Sequence, residues 1–457
     1  MIDWTTLDTW LALTAAIAAM SCALPGTLLL LRRQSLMGDA LSHATLPGIV
    51  LAFLAVHELH GLGWISRDML DAFRPLMLFV GATLTGVACG VLSELLKRWG
   101  RIEPTAALGV VYTSLFALGL LLIRAVADQA HIDTGCVLYG NLETVVTDTV
   151  NSWGMPRAAV TNGVVLLVNG ALLVLCFKEL QLCTFDADLA QALGFPAGWI
   201  HLGLLAATGA TIVAAFESVG SILVIAMLIV PPATAVLLSD RLAGVLVWSI
   251  VVAALSAFLG HATALVVPQY LQWLFHLPQP GEVSTSGMMA VASGALFLLA
   301  WTVSPRHGWL RQIVNRVQLQ VRILAEDILG VMYRLDELNA TPAGGVGIAK
   351  LSATLSARRW RIRLAIAYLT RKAWIERRDA GFALTDHGRD RGRELVRSHR
   401  LWEAYLAKHF ALPDRSLHAA AEQAEHFLNA PERRQLAAEL EQPHHDPHGR
   451  EIPAEPQ

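Results

Sequence analysis

Runs of apolar residues broken by short polar joints fill the chain up to Pro305. They fall near 9–31, 38–56, 75–96, 106–126, 158–177, 199–219, 221–239, 242–267 and 287–304. A helix needs roughly 20 mostly apolar residues to cross a bilayer, so the pattern predicts about nine transmembrane helices. The joint at "ESVGS", Glu217 to Ser221, is the weakest boundary: it would break a helix, and a break at membrane depth must line a cavity. After Arg306 the pattern changes. Residues 311–340, "RQIVNRVQLQVRILAEDILGVMYRLDELNA", space apolar positions as one amphipathic helix. A helix, a turn, a second helix and a small hairpin follow. The hairpin strands would be "AWIERR" and "FALTDHG", turning at Asp379–Gly381. Two more helical stretches, "RSHRLWEAYLAKHF" and "LHAAAEQAEHFL", precede a His-rich end.

Composition agrees with this division. Of 457 residues, 54% are hydrophobic, and the mean hydropathy is +0.48, more apolar than a soluble chain. The net charge of −2 averages a membrane part and a soluble part of ordinary domain size, so it excludes no partner. The five cysteines, Cys22, Cys89, Cys136, Cys176 and Cys183, form no CxxC pair and suit neither a disulfide frame nor a zinc site. The N-terminal stretch lacks the basic region of a signal peptide and is expected to be the first span. Basic residues cluster on alternate joints: Arg32 and Arg33, then Lys97, Arg98 and Arg101, then Lys178, Arg241, Arg306 and Arg311. The other joints hold Arg67, Arg74, Arg124 and Arg157. The bias predicts an N-terminus outside and a C-terminus in the cytoplasm of a multi-pass inner-membrane protein.

Charged groups within spans are costly and tend to face a bundle interior or a water path. Glu94, Glu217 and His261 are such groups; Glu94 also suits a snorkelling helix end, and Glu217 a pathway position. "GDALSHATLPG" carries Asp39 and His43 four residues apart, on one face of a helix. Carboxylate and imidazole both ligate divalent transition metals. A dimer axis would bring a second pair and make a four-ligand N/O site. The same pair also suits a structural hydrogen bond, or a helix cap by Asp39.

"LMGDALSHATLPGIVLAFL", "KELQLCTFDADLAQALGFP", "LVIAMLIVPPATAVLLSDRL" and "SPRHGWL" stand in the order found in the manganese/zinc/iron family of ABC transporter permeases, which the chain resembles over about 1–310. The resemblance implies a homo- or heterodimeric pore, cytoplasmic ATPase subunits and an external metal-binding protein. It assigns Asp39 and His43 to the ion pathway. It makes Lys178–Gly194 the segment that couples to the ATPase, with Glu179, Phe185, Asp186, Ala190 and Gly194 as contact or shape positions. "HIDTGCVLYGNLE", with His131, Asp133 and Glu143, would face the delivery protein or form a plain outer loop. The glycine cluster "TPAGGVGIAK" lacks a GK[ST] ending, so the chain is expected to hydrolyse no ATP itself.

The second part resembles diphtheria-toxin-repressor-like, manganese-dependent regulators over about 321–452. His399, Glu422, Glu425 and His426 fall on that family's ligand positions, as does Asp327; Gly330 stands where a further acidic ligand is expected. Glu422, Glu425 and His426 have the spacing of one helix face. The full expectation is an all-α polytopic membrane domain over 1–310, a cytoplasmic winged-helix domain over 311–390, and a helical metal-binding and dimerisation-like region over 391–457. No permanent cofactor is expected, only a transported and regulatory manganese, iron or zinc ion. Arg358, Arg359, Arg361, Arg363, Arg371 and Lys372 would suit DNA phosphates or an inner-membrane surface. A membrane-tethered transcription regulator is the alternative function; the coupling segment and paired pathway ligands distinguish a transporter from such an anchor.

Overall fold

The computed structural model describes residues 4–455 apart from 62–66, 127–141, 143–146, 151–153, 277–282, 306–307, 343 and 411–412. His131, Asp133 and Glu143, and the side chain of Glu217, lie outside the described residues. The chain divides into Met1–Arg311 and Gln312–Gln457.

The named elements of the first unit are all helices: α1 (Thr6–Leu31), α2 (Leu36–Ala44), α3 (Leu46–Gly61), α4 (Arg67–Gly100), α5 (Pro104–Val126), α6 (Arg157–Leu175), α7 (Phe177–Phe185), α8 (Ala187–Ala192), α9 (Ala197–Val219), α10 (Ser221–Leu238), α11 (Leu242–Phe275) and α12 (Thr285–Val303). Among the described residues, eight stretches are long and apolar enough to cross a membrane, and Leu223–Leu238 is a shorter ninth apolar helix. Thr5 and Asp8 start α1 with a reciprocal capping box. The joint at Glu217–Ser221 is a single residue, Gly220, at φ +79 between α9 and α10. Only glycine takes that conformation without strain. The apolar core includes Leu29, Leu41, Leu205, Met227 and Leu228.

The second hydrophobic segment is not a uniform helix. α2 ends at Ala44, and Pro47 enters the first turn of α3. Proline has no N–H, so the carbonyl of His43 cannot accept the usual helical bond. Just beyond, Gly48 and Gly81 bring α3 and α4 close: a Cβ on either would run into the other's carbonyl. Small residues permit such approach in membranes. Gly48→Val is expected to destabilise the bundle by about 1–3 kcal/mol, visible as a lower unfolding temperature in detergent.

Helix α13 (Trp309–Glu337) starts in the last three residues of the first unit and continues into the second, where it is followed by α14 (Ile348–Thr354), α15 (Arg359–Arg371), β1 (Ile375–Arg378), β2 (Gly381–Leu384), α16 (Asp386–His409), α17 (Asp414–Ala424) and α18 (Ala430–Glu439). The strands pair antiparallel, Ile375 with Leu384 and Arg378 with Gly381. The second strand is shorter than predicted. Thr385 caps α16 through the Gly388 N–H, so "DHG" opens a helix instead of extending the strand. One core joins Ile328, Leu329, Leu351, Ile362, Leu369 and Ile375; another joins Leu401, Leu436, Ala437 and Ile452. The predicted boundary at 390/391 falls inside α16, which serves both cores. The His-rich end is not loose. Asp446 accepts from the N–H groups of His448 and Arg450, Gly449 turns at φ +77, and buried Ile452 docks the segment.

Candidate metal centres

The short helix α2 holds Asp39 in its first turn and His43 in its last, with Oδ1 and Nε2 3.5 Å apart. The N-cap is Ser35, so Asp39 is not the cap. Both side chains are about one third exposed, 37% for Asp39 and 33% for His43. The imidazole stacks on Tyr112 of α5, with ring centres 6.2 Å apart, and meets the edge of Phe116 at 5.3 Å. Packing fixes the ring while leaving the pair open on one side. Met37, Gly38, Ala40 and Leu41 bury the opposite face. The arrangement offers one nitrogen and one carboxylate to a cation, as the spacing predicts.

Two other charged groups of the spans, Glu94 and His261, have partners. Glu94 pairs with Lys97 at 3.3 Å and Arg98 at 2.9 Å at a helix end. Buried His261 meets Asp8 at 3.2 Å, under the edge of Trp4. That pair ties the start of α1 to α11, and its aspartate is invisible to a reading of neighbouring positions.

Lys178–Gly194 forms two short helices, α7 and α8, with Asp186 between them. Asp186 caps α8 by accepting from the Leu189 N–H at 2.9 Å. Ala190 is fully buried, and Gly194 sits at φ +88, ending the helix. Glu179 is half-buried, whereas Phe185, Leu189 and Leu193 are exposed. The segment therefore presents an apolar surface on a capped, anchored frame. Sequence reasoning missed its link to the bundle: Arg32, at the end of α1, donates to Thr184 Oγ1 of α7 at 3.3 Å and lies 3.2 Å from His201 of α9.

In the second unit, two groups of ligand-type side chains lie side by side. His399, Glu403 and His418 form one; Asp327, Glu425 and His426 form the other. His399 Nε2 is 3.2 Å from Glu403 Oε1, and His418 Nδ1 is 2.8 Å from the same oxygen. His426 is held between Glu326, 3.0 Å from Nδ1, and Asp327, 3.1 Å from Nε2. The groups meet where His399 Nδ1 approaches Glu425 Oε2 to 2.6 Å. Both atoms are buried and pair with each other. Each group gathers imidazole and carboxylate ligand atoms within 4.8 Å of one another, close enough for one cation to take the place of the shared protons. The donor set suits manganese, iron or zinc.

Charge follows the same geometry. Burial works against charging His426, but Asp327 and Glu326 outweigh it and raise its pKa to about 9. Burial likewise opposes charge on His399, and Glu403 and Glu425 outweigh it, so its pKa is raised. For Glu403 burial is again opposed, here by His399 and His418, and the pKa falls to about 2.

Four of the five expected ligands, Asp327, His399, Glu425 and His426, come together; Glu422 does not. α17 ends at Ala424, and its C-cap Glu425, still at helical φ −57 and ψ −30, is buried. Glu422 stays on the last helical turn, exposed and outside both groups among the described residues. Sequence reasoning missed Glu403 and His418. Glu403 had a readable signal, since it stands four residues after His399 on one helix.

On α15, Arg359, Arg363 and Arg371 are exposed, as are Arg358 and Lys372 beside it. Arg361 is half-buried and donates to Gln320 at 3.2 Å.

Residues 6–270 match the ABC 3 transport family, and residues 385–454 match the iron dependent repressor, metal binding and dimerisation domain. The manganese transport system membrane protein MntD of Bacillus subtilis (strain 168) is 36% identical over 316 residues, covering 68% of this chain and 97% of MntD. The zinc transport system membrane protein TroD of Treponema pallidum (strain Nichols) is 35% identical over 381 residues, covering 82% of this chain and 95% of TroD. Among solved structures, PsaBC from Streptococcus pneumoniae in complex with Fab is similar, with a TM-score of 0.51 and 26% identity over 68% of this chain and 96% of that one.

Proposed function

We propose, since the chain belongs to the ABC 3 transport family, that it is the membrane-spanning permease subunit of an ATP-driven importer for a divalent transition metal, manganese first, with iron and zinc served by the same donors. The observation that carries this reading is the pair Asp39 and His43, fixed one helical turn apart and open on one side within the membrane domain. A carboxylate and an imidazole bind such ions while leaving them exchangeable, as conduction requires. A second permease chain, identical or related, would complete the ligand set. An external metal-binding protein would deliver the ion. The basic joints support an N-terminus outside and a C-terminus in the cytoplasm. The test is reconstitution with its ATPase in vesicles and ATP-dependent uptake across a panel of metals. Uptake of manganese, iron or zinc supports the reading; no uptake of any of them, with an active ATPase, overturns it.

Energy would enter at Lys178–Gly194. The exposed Phe185, Leu189 and Leu193 suit a groove in the ATPase, and Arg32 would pass movement of α7 to α1. Phe185→Ala is expected to lower uptake several-fold while thermal unfolding stays unchanged. Equal losses of uptake and stability would make Phe185 a packing residue only.

The second unit would hold the same kind of ion on the cytoplasmic side and restrain transport when internal metal is high. His399, Glu403 and His418 would supply one centre, and Asp327, Glu425 and His426 the other. DNA contact is a second reading, supported by the exposed Arg359, Arg363 and Arg371, with Arg361 beside them. A gel-shift with the full chain, with and without manganese, tests it.

A further inference from the structure

The apolar stripe of α13 is longer than the core that covers it. Trp309, Leu310, Ile313, Val314 and Val317 recur at helical spacing, and Val321, Leu324 and Ile328 continue the same face. From Leu324 onwards the stripe is buried, with Ile328 fully covered. Before it, the cover stops: the five residues from Trp309 to Val317 are each 38–50% exposed. The opposite face carries Arg311, Asn315, Gln318 and Arg322, with Leu319 as a single apolar residue among them. Between Ser304 and Ala325 there are arginines at 306, 311, 316 and 322 and no acidic residue.

We propose that Trp309–Val321 is an interfacial helix, lying along the membrane surface where the last span ends and held by anionic phospholipid headgroups. Three observations favour lipid over a protein partner. The helix begins six residues after the last span ends at Val303, so the chain delivers it to that surface. Trp309 stacks on Trp301 of that span, with ring centres 6.1 Å apart and planes within 21°; tryptophan concentrates at the headgroup level. The flanking charge is of one sign, and helices that bind membranes in plane pair an apolar face with lysine or arginine. An exposed apolar stripe of this length would otherwise be a liability. The remainder of α13 carries Asp327, so the interfacial segment and one centre of ligands share a single helix.

The test places a benzophenone residue at Val314 or, on the polar face, at Gln318 of the full chain. Each variant is reconstituted with its ATPase in phosphatidylethanolamine vesicles with or without phosphatidylglycerol, and the photoproducts are identified by mass. Position 314 is expected to give lipid adducts and position 318 few. Phosphatidylglycerol should raise the yield at 314, and Arg311→Gln with Arg316→Gln should cancel that gain, about fivefold for each arginine. Adducts at 314 to a second copy of the chain or to the ATPase overturn the assignment, as do equal lipid yields at the two positions. Lipid adducts at 314 that do not respond to phosphatidylglycerol overturn the anionic headgroup.

Discussion

Asp39→Ala is expected to stop metal uptake while the protein still inserts, folds and binds its ATPase. The side chain lies at the open side of α2, one third exposed, and α2 is packed through its other face. Its removal leaves no buried group without a partner, so the structural cost should be small. The functional cost should be large. The variant would lose one ligand of the proposed pathway pair, and even outer-shell changes at metal sites cost about 10–100-fold. His43→Ala should match it in uptake and also lose the contacts to Tyr112 and Phe116, so its unfolding temperature should fall further. Asp39→Glu keeps the charge and moves it by one methylene, and should recover part of the transport. Uptake of radioactive manganese into vesicles, with ATPase activity measured in parallel, separates the cases. If Asp39→Ala transports at the wild-type rate, the pair is a structural hydrogen bond and the pathway lies elsewhere.

Hydropathy made the membrane domain legible because each span must satisfy its own backbone within one continuous run. Even the doubtful joint was readable, since Gly220 alone separates two helices. Distant pairs were not. His261 and Asp8 are 253 positions apart, and nothing local in either segment announces the other. In the second unit, Glu422 stands outside both groups among the described residues. Glu425 keeps helical angles and bonds back to Ala421, so the spacing holds there; burial separates the two carboxylates, Glu425 covered and Glu422 exposed. The partners of His426 show the same limit. Asp327 was expected, but Glu326 beside it is buried too, held by Arg391 at 2.9 Å, and reaches the other ring nitrogen. Adjacent helical residues point about 100° apart, and only the position of His426 across the core brings both carboxylates to one ring.

His426→Ala should separate transport from internal metal. In the metal-free chain the imidazolium is clamped by Glu326 and Asp327, and its pKa of about 9 keeps it charged at neutral pH. An incoming ion must take the place of that proton, so metal affinity should rise with pH up to about 9. Stability of the metal-free second unit should move the other way. The folded pKa lies above the ordinary 6.5, so the stabilisation is complete below about pH 6.5 and disappears as pH rises through 9, on the order of 3 kcal/mol in all. Chelated wild type should therefore lose thermal stability across that window, and His426→Ala should lose less, keeping only the part due to the raised pKa of His399. Calorimetric titration with manganese should show the variant's affinity reduced at least about tenfold. With metal loaded on the cytoplasmic side of the vesicles, wild-type uptake should slow while His426→Ala and Glu425→Ala continue at the unrestrained rate. Glu422→Ala should behave as wild type, because it stands outside both groups. Equal slowing in all four proteins would leave the second unit without a regulatory role, even if it binds metal.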